Sequence, residues 1–543
     1  MSKKYIIRDP FGLLREGVLK SKGYARWRDN ILAARAVSDV LKPSLGPKGF
    51  KKLITDKFGE TAVTNHGFII LDKMDFEHPV GKLLKEAAKT IETSVGDGTK
   101  TSIILVGELL YRTDELTSQN LRIGSILTGY RKAYEIAVNR LYEIAQPVQP
   151  HDEKTLKQIL ANLCAARGVE EPEYLASLIL DAVKLALRKV DGKMVVDKDA
   201  VRLVKKIGGS VRESRVITGV VLDKQMAHPA MPRKIKNAKI ALLNMALKID
   251  EFRHLQPYKY HIDINSPALV EDFLREEDLL VETVVNKILA TGANVVITRK
   301  KMGPVAKQLL AKAGVIGISR LLEEEIFTSV AKITGARVVS SVDELGEHDL
   351  GNAAYVGEEK VGEDRVVVIE GVVDSGGATV LVKGPSTRIV DEIEHIVKDA
   401  VKYVSMLFDT PFVVPGGGAA ETSMAAAVAE EALHHSGVEQ LAMNAFARTL
   451  ESIPKILMEN SGQDVLELWA QLKTKHMNNL HTYGYNASSN KIEDMTKNGL
   501  TESLEVKKQV LTTAYETASM LLRIDELVDR RYVKRHEGEA AGK

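Results

Sequence analysis

Helical patterns occupy both ends of this 543-residue chain, and short strands separated by helices occupy its middle. Near the N-terminus, apolar spacing predicts helices over His78–Thr93, Thr99–Leu116 and Ile123–Ala145. After Val414–Gly418 the helical spacing returns. Strands that alternate with helices are typical of a parallel α/β layer. The sequence therefore predicts a multidomain α and α/β fold, in which a mainly α domain built from both termini surrounds an inserted α/β region.

Several shorter segments carry more specific predictions. The apolar runs Phe68–Leu71 and Val216–Val221 each predict one strand, and Lys154–Leu187 is predicted to be helical and amphipathic. Pro385–Leu407 predicts a long helix with a continuous apolar stripe. Asp399 lies on the polar flank of that stripe, where the plainer interpretation of its carboxylate is simple solvation.

The composition excludes some classes of partner. Lys and Arg number 75, Asp and Glu number 73, and the formal net charge is +2, so nothing favours nucleic acid or an anionic membrane. Because Cys164 is the single cysteine, no internal disulfide can form, which fits a reducing compartment. The chain has no signal-peptide pattern and no apolar run of 18 residues. We therefore predict a cytoplasmic protein with no membrane partner.

The segment Val95–Ser102, which reads VGDGTKTS, predicts a phosphate-binding loop. Gly96 and Gly98 permit a tight turn and a close approach of the backbone to a ligand. The following residues open a predicted helix, whose free N–H groups attract phosphate, and the carboxylate of Asp97 could hold Mg²⁺ beside it. The loop is not a Walker A motif, because Thr99 stands where that motif has glycine, which disfavours a conventional P-loop kinase or transferase.

Two other glycine-rich segments give this loop its significance. Taken alone, a Gly-Asp-Gly turn before a helix is consistent with a turn and nothing more. The chain also contains LGPKG at Leu45–Gly49 and VPGGG at Val414–Gly418. We interpret the three segments as meeting around one nucleotide.

A series of motifs in a fixed order resembles the group II chaperonins, the family of the archaeal thermosome and the eukaryotic cytosolic chaperonin. The resemblance covers nearly the whole chain. In addition to the three loops, the motifs are VTNHG (Val63–Gly67), ILDK (Ile70–Lys73), HPVGKLL (His78–Leu84), VLDKQMAHPAMPRKIKNAKIALLN (Val221–Asn244), TYGYN (Thr482–Asn486) and MLLRIDELV (Met520–Val528).

This resemblance implies an ATP-dependent chaperone subunit. It would assemble into a homo- or hetero-oligomeric double ring with sister subunits and enclose non-native protein clients. A helical protrusion at roughly Met245–Leu280 would close over the client. The implied domains are equatorial (1–146 and 404–543), intermediate (147–216 and 369–403) and apical (217–368). We also expect the N-terminal arm to pair with Arg523–Val528 across subunits.

The resemblance also implies a site for ATP or ADP with Mg²⁺. Asp97 would bind Mg²⁺, Asp399 would orient the attacking water, and Glu502 would reach the ribose. Asn486 and Ala487 would border the base. The other nucleotide contacts would come from the turns and glycine-rich loops, at Ser44, Leu45, Gly46, Pro47, Asn65, Gly67, Gly98, Thr99, Lys100, Thr101, Gly416 and Gly417.

Four positions depart from the family pattern. His66 stands where the family has an aspartate that acts on the water, and Lys100 replaces a threonine. Arg167 lies near the place of a nucleotide-sensing lysine, and Ser503 replaces a proline. Since a neutral imidazole cannot supply the lost negative charge, we predict that ATP binding is kept and hydrolysis is slow. One alternative is a largely structural ring subunit that relies on sister subunits for turnover; another is that His66 and Lys100 are neutral substitutions.

Overall fold

The computed structural model describes residues 18–22, 24–55, 59, 61–149, 152–190, 193–248, 267–371, 378–524 and 526–530. The chain divides into two compact units. Unit 1 comprises Met1–Ala176 and Lys398–Lys543, and unit 2 comprises Ser177–Val397. Both ends of the chain thus belong to unit 1. A division into two units does not distinguish equatorial, intermediate and apical domains, so those domain boundaries stay predictions.

The α-helices of the described residues, in chain order, are α1 (Tyr24–Leu41), α2 (Gly67–Lys73), α3 (Pro79–Ser94), α4 (Thr99–Ser118), α5 (Ile123–Glu143), α6 (Glu153–Ala166), α7 (Pro172–Ala186), α8 (Pro267–Ala290), α9 (Pro304–Lys312), α10 (Glu324–Thr334), α11 (Thr387–Asp409), α12 (Ala419–Ala432), α13 (Gly437–Leu450), α14 (Ser452–Asn460), α15 (Val465–Met477) and α16 (Leu504–Leu522).

The strands are β1 (Val18–Lys22), β2 (Lys52–Thr55), β3 (Thr61–Thr64), β4 (Gln146–Pro147), β5 (Leu187–Val190), β6 (Lys193–Val196), β7 (Val201–Ile207), β8 (Arg215–Ile217), β9 (Gly219–Leu222), β10 (Lys234–Leu243), β11 (Val295–Thr298), β12 (Ile316–Ile318), β13 (Val338–Val339), β14 (Gly351–Val361), β15 (Asp364–Glu370), β16 (Ala378–Gly384), β17 (Phe412–Pro415), β18 (Tyr483–Asn486), β19 (Lys491–Asp494), β20 (Thr501–Ser503) and β21 (Glu526–Arg530).

Unit 1 is mainly helical, and its packing is centred on α4. The run from Ile103 to Leu110 on this helix is largely buried, because α1, α13 and α16 all pack against it. The approach of α1 is close, since the hydroxyl of Ser38 donates to the carbonyl of Ile104 at 3.4 Å. This packing fixes the start of α4, and therefore the position of the glycine loop that precedes it.

Unit 2 contains a seven-stranded mixed sheet with the order β12-β11-β10-β14-β15-β9, and β13 pairs with β10. Strands β10, β11 and β12 are parallel, with Ile240 opposite Val295 and Val295 opposite Ile316. The strands and the helices between them enclose an aliphatic core. The predicted parallel α/β layer is therefore present, and antiparallel strands extend it on one side.

The structure corrects three predictions of secondary structure. Residues 68–71 belong to helix α2 and form no strand, because a four-residue apolar run fits either structure. The helical segment predicted over Lys154–Leu187 is divided into two helices: α6 ends at Ala166, and Gly168, with φ of +72°, separates it from α7. Val216–Val221 is split between β8 and β9, which belong to different sheets.

The strands near the two chain ends pair within one chain. Val18 lies opposite Arg530 and Lys22 opposite Glu526 in the antiparallel pair β1–β21. Because each strand of a two-stranded pair keeps a second edge, the expected pairing of these segments across subunits stays a prediction. Half of the predicted protrusion, residues 249–266, lies outside the described residues. In the part of the chain that the structure describes, no helix is long and apolar enough to cross a membrane.

Candidate functional site

A cavity of about 300 Å³ lies in unit 1, where loops from distant parts of the sequence meet. All three glycine-rich segments reach its wall. Of the sequence-predicted site residues, the cavity is lined by Leu45, Gly46, Pro47, Asn65, His66, Gly67, Asp97, Gly98, Thr99, Lys100, Thr101, Gly416, Gly417, Asn486, Ala487 and Glu502. Ser44 and Asp399 are not part of the lining, although each bonds to a residue that is.

Two helices begin at this wall, and a glycine precedes each of them. Gly98, with φ of +85°, precedes α4, and a β-carbon at this position would lie 2.2 Å from Cγ2 of Val510. Gly417, with φ of +60°, lies in the turn before α12, where a β-carbon would be 2.6 Å from the carbonyl of Tyr485. Only glycine fits both positions, so the chain can present backbone N–H groups of two helix starts to one ligand.

Four charged or ionisable side chains form a buried group beside the cavity, which we name the Arg167 cluster: Arg167, Asp399, His66 and Glu92. The guanidinium of Arg167 lies 2.5 Å from Oδ2 of Asp399 and 2.7 Å from the carbonyl of Gly96. Nε2 of His66 lies 2.9 Å from the same Asp399 oxygen and 3.4 Å from Oε1 of Glu92. The Asp399 side chain is 4% exposed, so its carboxylate is paired with cations and is not solvated.

The pKa values of this cluster follow from its pairing. Burial raises the pKa of the Asp399 carboxyl, but the Arg167 charge and the His66 hydrogen bond outweigh it and hold that pKa well below its usual range. Burial and Arg167 would lower the pKa of His66, but its bonds to Asp399 and Glu92 raise it overall. Burial raises the pKa of Glu92. Asp399 is thus held ionised, and protonation of His66 is favoured.

The guanidinium of Arg167 disfavours binding of a metal ion inside the Arg167 cluster. Ligating atoms of His66, Glu92 and Asp399 lie within 4.8 Å of one another. However, the Arg167 guanidinium already occupies the Asp399 oxygen that would face such an ion.

Asp97 is better suited to Mg²⁺. Its side chain is 36% exposed on the cavity wall, between two glycines, and its nearest charged partner, Arg167, is 3.4 Å from Oδ1. An accessible carboxylate beside a phosphate-binding helix start fits a hard divalent cation that also binds phosphate oxygens.

Lys100 lies on the cavity wall one residue inside α4. Its ammonium donates to the carbonyl of Ser44 at 2.7 Å, which ties the phosphate loop to the LGPKG turn. Burial and the nearby Arg167 charge lower the pKa of Lys100 to about 8. The lysine is therefore placed to meet an anion in the cavity, and binding of that anion would favour its charged form.

A second ionic group, the Lys507 cluster, consists of Lys507, Glu421 and Glu502. The ammonium of Lys507 lies 2.5 Å from Oε1 of Glu421 and 2.8 Å from Oε2 of Glu502. Glu421 is buried, whereas the Glu502 side chain is 38% exposed at the cavity. Tyr403 lies nearby, and its hydroxyl accepts from the N–H of Ser503 at 2.5 Å. One glutamate is thus enclosed and the other faces the cavity, both held by one lysine.

Sequence reasoning missed several of these residues. Glu92 was never singled out, although it lies five positions before Asp97, in the last turns of the helix that leads into the loop. Lys507 and Glu421 were missed too, although Lys507 follows Glu502 at a short interval on the next helix. Burial is what makes them notable, and the sequence alone gives no measure of burial.

Comparison with known proteins gives one consistent result. Residues 37–531 match the model of the TCP-1/cpn60 chaperonin family. A thermosome subunit of Methanopyrus kandleri is 40% identical over 520 residues, which cover 96% of this chain and 94% of the relative. In Archaeoglobus fulgidus, thermosome subunit alpha is 38% identical over 537 residues (98% of both chains), and subunit beta is 37% identical over 530 residues (97% and 96%).

Proposed function

Since this chain belongs to the TCP-1/cpn60 chaperonin family and is a chaperone subunit of the group II type, we propose that its unit 1 cavity binds Mg-ATP and hydrolyses it to drive protein folding. ATPase activity is a general property of the family. The observation that carries the proposal for this chain is the meeting of three glycine-rich loops and two helix starts on one cavity that Asp97 also lines.

In this proposal each part of the cavity has a separate task. The backbone N–H groups at the start of α4 and the ammonium of Lys100 bind phosphate oxygens, and Asp97 holds Mg²⁺, which neutralises phosphate charge when bound. Glu502 accepts from the ribose hydroxyls, while Asn486 and Ala487 border the base. Phosphoryl transfer needs mainly positioning and charge neutralisation, and these side chains supply both.

We further propose that hydrolysis is slow in this chain. The Asp399 carboxylate, expected to orient the water, is bonded by Arg167 and His66 and does not line the cavity. His66 adds no negative charge where the family has an aspartate. Lys100 should bind ground state and transition state alike, and so strengthen binding more than turnover.

Phosphate release by the purified chain tests this proposal. We expect saturable, Mg²⁺-dependent release at a low rate by the chain alone. Brisk release would show that His66 and Lys100 are neutral substitutions. No release by the chain alone, with release on addition of a sister subunit, would instead favour the structural ring subunit.

Substitution of Asp97 tests whether this residue is a metal ligand or only part of the turn. Asp97→Ala should abolish Mg-ATP binding, because the triphosphate loses its bridging cation. Calorimetric titration with Mg-ATP measures this directly, and titration without Mg²⁺ is the control, because the two proteins should then differ little. Near-normal Mg-ATP affinity of the variant would eliminate the ligand role.

The assembly remains part of the proposal. The Archaeoglobus relatives named alpha and beta are almost equally similar to this chain. We therefore propose a double ring that contains either copies of this chain alone or this chain together with sister subunits. The three-domain division, the protrusion that closes over non-native clients and the cytoplasmic location are proposed on the same grounds. Electron microscopy of the chain expressed alone, and with a candidate sister subunit, tests whether it forms rings and whether it needs a partner.

A further inference from the structure

The hydroxyl of Tyr403 is a hydrogen-bond donor that the nucleotide contacts proposed above do not use. Tyr403 lies on α11 and lines the cavity, although the residue is only 3% exposed. Its hydroxyl oxygen accepts from the N–H of Ser503 at 2.5 Å. A tyrosine hydroxyl also carries one proton to donate. Since this hydroxyl makes no second hydrogen bond to any of the described residues, its proton is available to a ligand in the cavity.

The surroundings of the hydroxyl keep it protonated. Burial raises the pKa of Tyr403 well above its usual value, and the charges of Glu502 and Asp97 raise it further, whereas the bond from the Ser503 N–H offsets only part of this rise. Ionised carboxylates can only accept hydrogen bonds. Tyr403 therefore adds a donor to a part of the cavity where the neighbouring charged side chains are acceptors.

Glu502, the residue before Ser503 on β20, offers an acceptor for the same ligand. Its Oε2 lies 2.8 Å from the Lys507 ammonium. Its Oε1 lies beside Gly416, where a β-carbon would be 3.3 Å away, so the glycine leaves this oxygen open to the cavity. A group that bridges Tyr403 and Glu502 must accept from a phenol and donate to a carboxylate. A sugar hydroxyl does both, whereas an ionised phosphate oxygen only accepts.

We propose that Tyr403 determines the sugar specificity of the site: its hydroxyl donates to a ribose hydroxyl, which in turn donates to Glu502. This inference rests on the proposed binding of Mg-ATP in the cavity. The hydrogen bonds then form one chain from the Ser503 N–H to the carboxylate, and each bond in such a chain polarises the next. The chain starts at an N–H that a proline at residue 503, as in the family pattern, would lack. A deoxyribose without this hydroxyl would interrupt the chain, so the site selects ribonucleotides.

Tyr403→Phe tests the proposal, because it removes the donor and keeps the aromatic ring. Calorimetric titration gives the dissociation constants for Mg-ATP and for the magnesium complexes of 2′-deoxy-ATP and 3′-deoxy-ATP. The parent chain should bind at least one deoxy nucleotide about tenfold less tightly than Mg-ATP, since the missing hydroxyl leaves polar groups unpaired. In Tyr403→Phe, the dissociation constant for Mg-ATP should rise about fivefold, as expected for one hydrogen bond. The constant for that deoxy nucleotide should stay within about twofold, so the preference for ribose falls.

A matched control makes the same chemical change elsewhere in unit 1. Tyr515 lies on α16, stacks on Tyr134 and is not part of the cavity lining. Tyr515→Phe should leave all three dissociation constants unchanged.

A double variant separates the loss of the donor from structural damage, because Tyr403→Phe also leaves the buried N–H of Ser503 without its acceptor. Ser503→Pro combined with Tyr403→Phe removes that N–H as well, and the φ of −64° at residue 503 fits proline. If Tyr403→Phe acted by displacing Glu502, the double variant would regain the parental preference for ribose. We expect the preference to stay as low as in Tyr403→Phe, since the donor is still missing.

The outcomes are distinct. Tight binding of both deoxy nucleotides by the parent, an unchanged preference for ribose in Tyr403→Phe, or its recovery in the double variant would overturn this inference and leave the proposed binding of Mg-ATP intact. Absence of Mg-ATP binding by the parent chain would overturn the proposed function itself.

Discussion

The Arg167 cluster and the Lys507 cluster are both buried ionic groups beside one cavity, yet their charges are arranged differently. The Arg167 cluster has two carboxylates, a guanidinium and an imidazole whose pKa is raised, so protonation of His66 brings its net charge to zero. The Lys507 cluster has one ammonium for two carboxylates. Burial raises the pKa of its Glu502, whereas the pKa of Asp399 is held far below its usual range.

This difference suggests a division of labour. A neutral, enclosed group is suited to hold its members rigidly, as buried ion pairs are costly to open once formed. A group with excess negative charge and a glutamate that is only partly buried at the cavity is suited to accept hydrogen bonds from a neutral polar ligand such as a ribose. The variants below test whether the two clusters really differ in this way.

Asp399→Ala should have the largest effect of these variants. It leaves the Arg167 charge buried without its closest carboxylate, so the free energy of unfolding should fall by about 3–5 kcal/mol. Most ATPase activity should disappear as well, because Arg167 and His66 are freed to pair with Glu92. Urea unfolding and phosphate release measure the two effects. Asp409→Ala, at an exposed position of the same helix, is the control, and equal behaviour of the two variants would refute the central role of Asp399.

Lys507→Met should lower the free energy of unfolding by about 3 kcal/mol, because Glu421 loses its cation. This is a smaller effect than that of Asp399→Ala, because Glu502 can be hydrated from the cavity. Lys507→Met with Glu421→Gln should recover part of this loss, since the buried carboxylate is then removed too. Thermal or urea unfolding of the single and double variants gives the coupling. If the double variant is no more stable than Lys507→Met, the buried pair does not explain the loss.

His66→Asp with Lys100→Thr should raise the turnover number by roughly tenfold, equivalent to about 1.4 kcal/mol in the barrier. The change restores an acid at residue 66 and removes a cation that binds the ground state. ATP affinity should fall or stay the same. Steady-state phosphate release is the measurement, and the two single variants are controls. Unchanged turnover would mean that both departures from the family pattern are neutral.

The smallest effect is expected in the pH dependence of stability. Because folding raises the pKa of His66, its ion pairs stabilise the fold fully below the unfolded value of 6.5 and lose this contribution as pH rises through the higher folded value. Asp399 has a lowered pKa, so its contribution is lost only when pH falls below 3.8. His66→Gln should therefore flatten the decline in unfolding free energy above pH 6.5. Lys507→Met should retain that decline. If the decline above pH 6.5 became equally flat in both variants, its assignment to His66 would be contradicted.

The sequence by itself determined much of this protein. The helical ends, the strand-helix alternation of the middle and the ordered motifs predicted the fold class and the family, and the family is confirmed. The three glycine-rich segments predicted from the sequence line one cavity, and they could be recognised because positive-φ turns before helices require glycine. The domain boundaries and the roles of individual site residues stay predictions.

Only the tertiary structure decided which side chains meet. Arg167 was singled out in the sequence as a departure from the family pattern, but its pairing with Asp399 was not predicted. Asp399 could be interpreted from its helix as a solvated carboxylate, whereas the fold buries it. No local sequence pattern singled out Glu92. The spacing of apolar residues and glycines indicates which secondary structure each segment can form. Side-chain pairing, burial and pKa depend on residues hundreds of positions apart, which only the folded chain brings together.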